Sequence, residues 1–273
     1  MTNQSIAAAL PRAEPRRHWN RHRIAAGKLA LGVVLVGLWQ LGSVSLGRDF
    51  VAPPIAVLER LWTLGSGAEL WHHTAITLWE AAAGFALGGG LGVALPFLLR
   101  RSPRLTAALD PFVTVAMGVP KLALAPLLIL WFGIGIFSKI VFVAALVFFL
   151  LFFNTLAGVR SVSPPLVATA RVMGAGEWTV AREIVWNTTL PYIFAGIKIA
   201  LPRALSAAVV GEFIAANAGL GYYINNARAM ADSTGIFAGI IVVTALVIVV
   251  NAALQRVQAR STAWRPVSRD MVV

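Results

Sequence analysis

Residues 136–158 read IFSKIVFVAALVFFLLFFNTLAG, and this stretch decides the class of the fold. It is predominantly apolar over more than the roughly 20 residues that a helix needs to cross about 30 Å of hydrocarbon. Further stretches of this kind lie at residues 29–46, 74–99, 107–132, 190–215 and 235–254. The sequence therefore predicts an all-α integral membrane protein with about six transmembrane helices.

The composition of the whole chain agrees with this prediction. Of the 273 residues, 58% are hydrophobic and 12% are charged, whereas a soluble domain has about a quarter of its residues charged. The net charge of +12 does not indicate a nucleic-acid-binding protein, because the basic residues lie in short segments between apolar stretches. Because the chain has no cysteine, disulfides, thiolate catalysis and Cys-ligated metals are excluded.

The distribution of lysine and arginine predicts the orientation in the membrane. Placing both termini in the cytoplasm puts most basic residues on the cytoplasmic side and leaves only Arg48, Arg60, Lys139 and Arg228 outside. We expect a basic N-terminal tail (1–27), a transmembrane domain (28–258) and a cytoplasmic C-terminal tail (259–273). The first apolar stretch is longer than the core of a typical signal peptide, so we expect it to remain as a span.

The external segment 47–73 has two notable features. Pro53 and Pro54 interrupt regular structure, and residues 55–64 (IAVLERLWTL) have the pattern of a short amphipathic helix at the membrane interface. His72 and His73 follow at the outer end of the second span. Because adjacent helical residues point in different directions, we expect these two histidines to have an interfacial role and not to share a metal ion.

Several spans contain residues that disturb helices. The second contains Gly88-Gly89-Gly90 and Pro96, and for the glycine run we favour close packing against another helix. The fifth contains Pro202. The third contains Pro111, Pro120 and Pro126, for which a kinked helix lining a pathway is at least as good an interpretation as packing.

A longer cytoplasmic segment joins the fourth and fifth spans, and residues 160–189 read RSVSPPLVATARVMGAGEWTVAREIVWNTT. We name residues 160–190 the 160–190 loop. The hydroxyl of Ser163, followed by two prolines, predicts the start of a short helix over 164–173. A turn at 174–176 leads to a second piece, 177–186, which has Trp178, Ala181 and Val185 on one face. Leu190-Pro191 should end this piece and open the fifth span. Such a helix-turn-helix docks on a partner protein or lies on the membrane, and the pattern alone leaves both open.

The 160–190 loop resembles the EAA loop of ABC-importer permeases, which has the form E-A-A, three residues, Gly, nine residues, then I-x-L-P. Here the corresponding residues are Ala168-Thr169-Ala170, Gly174 and Ile184. Ala168 replaces the acidic residue, and Trp186-Asn187 replaces the first Leu-Pro. Leu190-Pro191 then matches a second Leu-Pro of the nearest family members. The missing carboxylate puts one polar contact to the ATPase in doubt, but not the docking.

Four other stretches resemble the nitrate/sulfonate/taurine subgroup of these permeases. They are 52–64, 120–135 (PKLALAPLLILWFGIG), 157–160 (AGVR) and 211–221 (GEFIAANAGLG). The resemblance runs from about residue 50 to residue 260 and implies a type I ABC-importer permease-like core in a bacterial inner membrane. It also implies a homodimer, two cytoplasmic ATPase subunits, and a periplasmic or lipoprotein solute-binding protein.

The resemblance further implies what the chain transports and how it is driven. The substrate would be a small solute, with an anion such as a sulfonate, taurine or nitrate favoured, while thiamine-precursor pyrimidines and other aromatic solutes stay open. ATP and Mg²⁺ would bind the partner ATPase and not this chain. The residues that would contact that partner are Ala168, Ala170, Gly174, Ala175, Gly176, Glu177, Trp178, Ile184 and Pro191.

The residues themselves indicate no catalysis on this chain. Lys28 is the one lysine that follows a glycine, and Leu29 stands where a P-loop needs Ser or Thr. The sequence contains neither G-x-S-x-G nor H-E-x-x-H. We therefore expect a transport subunit without a cofactor and not an enzyme. The alternative is an ion-coupled secondary transporter without an ATPase partner, which would usually show more spans or an internal repeat.

The ionisable residues within the spans are costly in hydrocarbon and should face protein or water. They are Glu80, Lys121, Lys198, Arg203 and Glu212. We expect Lys198 to reach the cytoplasmic surface and Glu212 to cap the turn Gly219-Leu220-Gly221. The candidate translocation path consists of Pro120, Lys121, Arg203 and Glu212, with Lys121 and Arg203 providing positive potential for an anion. The alternative is structural pairing of Lys121 or Arg203 with Glu80 or Glu212.

Overall fold

The computed structural model describes residues 21–261, and every regular element in that range is helical. The α-helices are α1 (Arg21–Leu46), α2 (Pro54–Ser66), α3 (Ala68–Leu99), α4 (Pro103–Gly118), α5 (Ala125–Phe132), α6 (Ile136–Arg160), α7 (Pro164–Val172), α8 (Glu177–Thr179), α9 (Asn187–Ile214), α10 (Leu220–Ala229) and α11 (Ser233–Ser261). Residues 1–20 and 262–273, most of the two predicted tails, lie outside the described range.

The chain divides into two compact units at the boundary between Pro54 and Ile55. The described part of the first unit is α1 and the turn after it, where the indole nitrogen of Trp39 donates a 3.0 Å hydrogen bond to the carbonyl oxygen of Ala52. The second unit begins with α2, which confirms the predicted short helix at 55–64. All later elements belong to this second unit.

Five stretches of the described chain are long and apolar enough to cross a membrane: Ile24–Leu46, Ala68–Leu99, Ile136–Arg160, Glu177–Ile214 and Ser233–Arg256. They correspond to five of the six predicted spans. The prediction of one span over 107–132 was wrong, because α4 ends at Gly118 and a 3₁₀ turn (Lys121–Leu124) separates it from α5. Pro120 is the physical cause, since proline disfavours the helical conformation at the residue before it, and Val119 is extended.

The core of the second unit is built where α3, α6 and α9 pack together. Gly84, Gly88 and Gly92 recur every four residues on the face of α3 that meets α6. A Cβ atom on Gly92 would lie 2.7 Å from the carbonyl oxygen of Phe148, and one on Gly88 would overlap the backbone of Ala144. The interpretation of the glycine run as close packing is therefore confirmed at Gly88, whereas Gly90 faces open space.

Candidate functional site

The 160–190 loop begins with α7, which starts at Pro164 as predicted. Ser163 occupies the N-cap position, but its side chain accepts no hydrogen bond from the helix, so the predicted capping hydroxyl was wrong. The reason lies in the next two residues. Pro164 and Pro165 have no N–H, so the second helical position, one of the two usual donors to a capping side chain, has nothing to donate.

A glycine turn ends α7. The N–H of Gly174 donates to the carbonyl of Arg171 at 3.0 Å, and the N–H of Ala175 donates to the carbonyl of Ala170 at 2.9 Å. These two bonds define a Schellman motif, which needs a left-handed residue after the helix. Gly174 supplies it with φ of +89°. The spacing between Ala170 and Gly174 is therefore set by the geometry of this capping motif, to which both residues belong.

The inner side of this turn is held by a small apolar cluster. Val180 and Val185 are fully buried and pack with Val159 from the end of α6. Ala170 and Ala175, which are joined by the 2.9 Å hydrogen bond of the Schellman motif, pack against the same cluster. These contacts fix the turn to the end of α6.

The second piece of the loop differs from its prediction. Residues Val180–Trp186 form a π-helical stretch that runs directly into α9, so the helical path from Glu177 to Ile214 is continuous. Leu190-Pro191 was predicted to open a new helix, but it lies inside α9. Because a π-helix has i→i+5 bonds, it shifts later residues off the α-helical face. Val185 is consequently buried, whereas Trp178 remains 72% exposed.

The outer side of the turn is an exposed apolar tip. Val172 and Met173 are 90% and 83% exposed, and Leu166 is also exposed. Ala168, which stands where the EAA pattern has its acidic residue, is exposed on α7. Across the turn, the Arg171 guanidinium and the Glu177 carboxylate form an exposed ion pair at 2.5 Å. An apolar tip of this kind on a fixed base is typical of a docking surface.

At another place in the second unit, polar side chains fix the start of α10. The N–H groups of Gly219, Leu220 and Gly221 are the first three of that helix and have no partner within it. They donate to His73 Nδ1 at 3.0 Å, to Thr77 Oγ1 at 2.9 Å and to Glu212 Oε2 at 2.7 Å, respectively. The prediction that Glu212 caps this turn is confirmed. The interfacial role expected for His73 was wrong, because its ring is buried.

This buried polar cluster (His73, Thr77, Glu80, Lys139 and Glu212) contains residues that the sequence analysis did not place together. Lys139 was counted among the external residues, yet it is 2% exposed. Its ammonium group donates to the carbonyls of Ile134 and Gly135 and interacts with the carboxyls of Glu80 and Glu212. One signal was available in the sequence: His73, Thr77 and Glu80 are spaced i, i+4, i+7 and so share one helix face.

Lys121 lies at the break between α4 and α5, next to Pro120. Its ammonium group donates to the carbonyl of Ala116 at 3.1 Å and lies 4.7 Å from the ring centre of Phe149. A cation at this position satisfies carbonyls at the C-terminal end of α4. Lys121 therefore binds backbone oxygens and an aromatic ring.

Arg203 occupies a different environment from the other charged residues in the spans. It is exposed on α9, on the same side as Ile199 and Ser206, whereas Glu212 on this helix is fully buried. Among the carboxylates that the structure describes, none forms an ion pair with Arg203. Of the four residues of the candidate path, Arg203 and Pro120 are exposed, Lys121 is half-buried and Glu212 is buried. Within residues 21–261, no group of three or more His, Asp or Glu side chains is arranged to hold a metal ion.

Comparisons with known proteins agree over most of the chain. Residues 84–263 match the family described as the binding-protein-dependent transport system inner membrane component. The riboflavin transport system permease protein RibX of Chloroflexus aurantiacus is 35% identical over 233 residues, which cover 84% of this chain and 87% of RibX. The taurine transport system permease protein TauC of Escherichia coli is 31% identical over 240 residues, with coverage of 86% and 87%.

The fold also has a counterpart among solved structures. A crystal structure of a bacterial alginate ABC transporter, in complex with an alginate pentasaccharide-bound periplasmic protein, superposes with a TM-score of 0.63. The match covers 90% of this chain and 96% of that chain at 15% sequence identity. At this identity the similarity shows the fold alone, which is that of a type I ABC-importer permease.

Proposed function

Because this chain belongs to the family of binding-protein-dependent transport system inner membrane components, we propose that separate ATPase subunits drive it by docking on its 160–190 loop. The chain itself is a multi-pass permease subunit of an ABC importer and not an enzyme. ATP and Mg²⁺ then act on the partner ATPase. The observation that supports this proposal most strongly is the exposed apolar tip at Val172 and Met173 on a buried base.

The loop is built to transmit force. The apolar cluster beneath its turn includes Val159 at the end of α6. The loop then continues through the π-helical stretch into α9 without a break. α9 in turn packs in the core with α3 and α6. A displacement of the tip by an ATPase is therefore passed to a core helix, because close-packed helices move as rigid bodies and not by local deformation.

The remaining partners follow from the same proposal. We place both termini and the 160–190 loop in the cytoplasm, because the Lys and Arg residues concentrate there. Two copies of the chain form a homodimer, and a periplasmic or lipoprotein binding protein delivers the substrate to the opposite end. The alginate transporter structure, which contains a bound periplasmic protein, supports this kind of partner.

The proposed substrate is a small anion such as a sulfonate, taurine or nitrate. Arg203 supports this because it is an accessible cation on the uncovered face of α9. A charged side chain within a membrane span costs free energy, so such residues usually have a function. Pro120 and Lys121, at the break between α4 and α5, and Glu212, which holds the α10 turn, complete the proposed path. The name of the relative RibX shows that members of this family also include a riboflavin permease.

The docking proposal is tested by placing a charge on the tip. Met173→Asp puts a carboxylate on a residue that is 83% exposed, so the fold should tolerate it while an apolar contact with the ATPase is lost. The matched control is Met230→Asp, at a methionine that is 71% exposed in the turn after α10. We expect Met173→Asp alone to lose co-purification of the ATPase and ATP-dependent uptake. Full uptake by Met173→Asp, or uptake without any ATPase, would contradict the proposal and favour a secondary transporter.

A further inference from the structure

A groove of about 500 Å³ lies between the end of α3 and the π-helical part of the 160–190 loop. One wall is formed by Ala94, Phe97 and Leu98 of α3, and the other by residues from Trp178 to Trp186. Phe97 and Trp186 both line the groove, and their ring centres are 5.6 Å apart. The groove is separate from the exposed tip at Val172 and Met173, which does not line it.

Three of the residues that line the groove are arginines. They are Arg100 and Arg101, directly after α3, and Arg182 in the π-helical stretch. Among the described carboxylates, the one that forms an ion pair with any of them is Glu183, whose carboxylate lies 3.6 Å from Arg182 Nε. Of the carboxylates whose side chains the structure describes, none pairs with Arg100 or Arg101. The groove therefore combines an apolar lining with three arginines, two of which directly follow α3.

We propose that this groove binds a phospholipid with an anionic headgroup, whose phosphate lies at the arginines and whose acyl chain lies along α3. Basic pockets at the ends of membrane-spanning helices bind anionic headgroups, and tryptophans such as Trp178 and Trp186 concentrate at the level of the headgroups. The proposal depends on the membrane-spanning character of the chain. It does not depend on the transported substrate.

The apolar part of the groove favours a lipid over a water-soluble partner. Ala94 lies six residues before Arg100, which directly follows α3, and six helical residues span about 9 Å. The apolar wall therefore runs back from the arginines along a helix that is long and apolar enough to cross a membrane. An acyl chain matches such a wall, whereas a water-soluble partner cannot cover the part of it that enters the bilayer.

The test uses the complete transporter, reconstituted in vesicles of phosphatidylglycerol and phosphatidylcholine, extracted in mild detergent and weighed by native mass spectrometry. We expect the wild-type complex to retain phosphatidylglycerol in preference to phosphatidylcholine. The variant Arg101→Gln/Arg182→Gln should retain about thirtyfold less, since each arginine near a membrane surface contributes about fivefold to the binding of an anionic lipid. The matched control, Arg160→Gln/Arg256→Gln, removes two arginines that do not line the groove and should retain the wild-type amount.

A second variant tests the apolar part without changing any charge. Ala94→Trp fills the groove from an exposed position of α3, whereas Leu91→Trp changes an exposed residue of the same helix that does not line it. We expect Ala94→Trp alone to displace the lipid, with both variants melting at similar temperatures. Equal retention of the two lipids by the wild type, unchanged retention in both groove variants, or cross-linking of Leu98→Cys to an ATPase or a second copy would overturn the proposal.

Discussion

The hydroxyl of Thr77 donates a 2.7 Å hydrogen bond to the Glu212 carboxylate, and both residues are fully buried although 135 positions separate them in the chain. Thr77 also accepts a hydrogen bond from the N–H of Leu220. One small side chain thus joins α3, α9 and the start of α10. In an apolar surrounding, such a fully satisfied polar contact fixes the position of the three elements, because any shift leaves buried polar groups without partners.

The first prediction concerns this contact. Thr77→Val keeps the shape of the side chain but removes the partner of Leu220 N–H and one partner of Glu212, so we expect a loss of about 1–3 kcal/mol in stability. Thermal melting of the purified protein measures it. The control is Thr244→Val, because the Thr244 hydroxyl is exposed and bonds only within its own helix. Equal melting temperatures for the two variants would show that the contact does not hold the structure together.

The second prediction concerns the packing of α3 on α6. A methyl group on Gly88 overlaps the backbone of Ala144, so Gly88→Ala should force the helices apart and cost about 1–3 kcal/mol, the usual range for overpacking. Gly90→Ala meets open space and should be neutral or slightly stabilising, because alanine is the better helix former. The yield of folded protein and its melting temperature distinguish the two variants. A lower melting temperature for Gly90→Ala than for Gly88→Ala would refute this packing.

The third prediction concerns the turn of the 160–190 loop. Gly174 has φ of +89° with free space around its Cβ position, so Gly174→Ala costs about 1–2 kcal/mol of backbone strain and nothing else. We expect lower ATP-coupled uptake at unchanged protein abundance, with Gly174→Asn less affected because asparagine tolerates this conformation. Gly176→Ala is the control, since its φ is −73° and it also has free space. Equal uptake by Gly174→Ala and Gly176→Ala would exclude a role for the turn geometry.

The fourth prediction concerns the proposed path. Arg203→Gln removes the accessible cation of α9, and we expect the KM for an anionic substrate such as taurine to rise about tenfold, which corresponds to about 1.4 kcal/mol. Lys198→Gln removes an exposed cation five residues earlier on the same helix and serves as the control. The measurement is uptake at several substrate concentrations. An unchanged KM with less protein in the membrane would indicate a structural role for Arg203.

Much of this fold could be predicted from the sequence, because hydrocarbon demands long apolar helices and these are visible as stretches of residues. The close packing of the glycine run, confirmed at Gly88, and the helix start at Pro164 were also visible. The break at Pro120 was harder to predict from the sequence. Proline is tolerated inside some spans, such as Pro202 in α9, and ends the helix in others. Burial of Lys139 could not be predicted, because its partners come from distant segments that only the packing brings together.

The measurement that tests the central claim most directly is cross-linking from the tip of the 160–190 loop in the assembled transporter. The chain has no cysteine, so Met173→Cys and Met230→Cys each introduce a single thiol at an exposed position. We predict that Met173→Cys cross-links to the ATPase subunit, that ATP changes the yield, and that Met230→Cys gives no such product. A cross-link from Met230→Cys, or modification of Met173→Cys by an impermeant reagent added from the periplasmic side, would contradict the account.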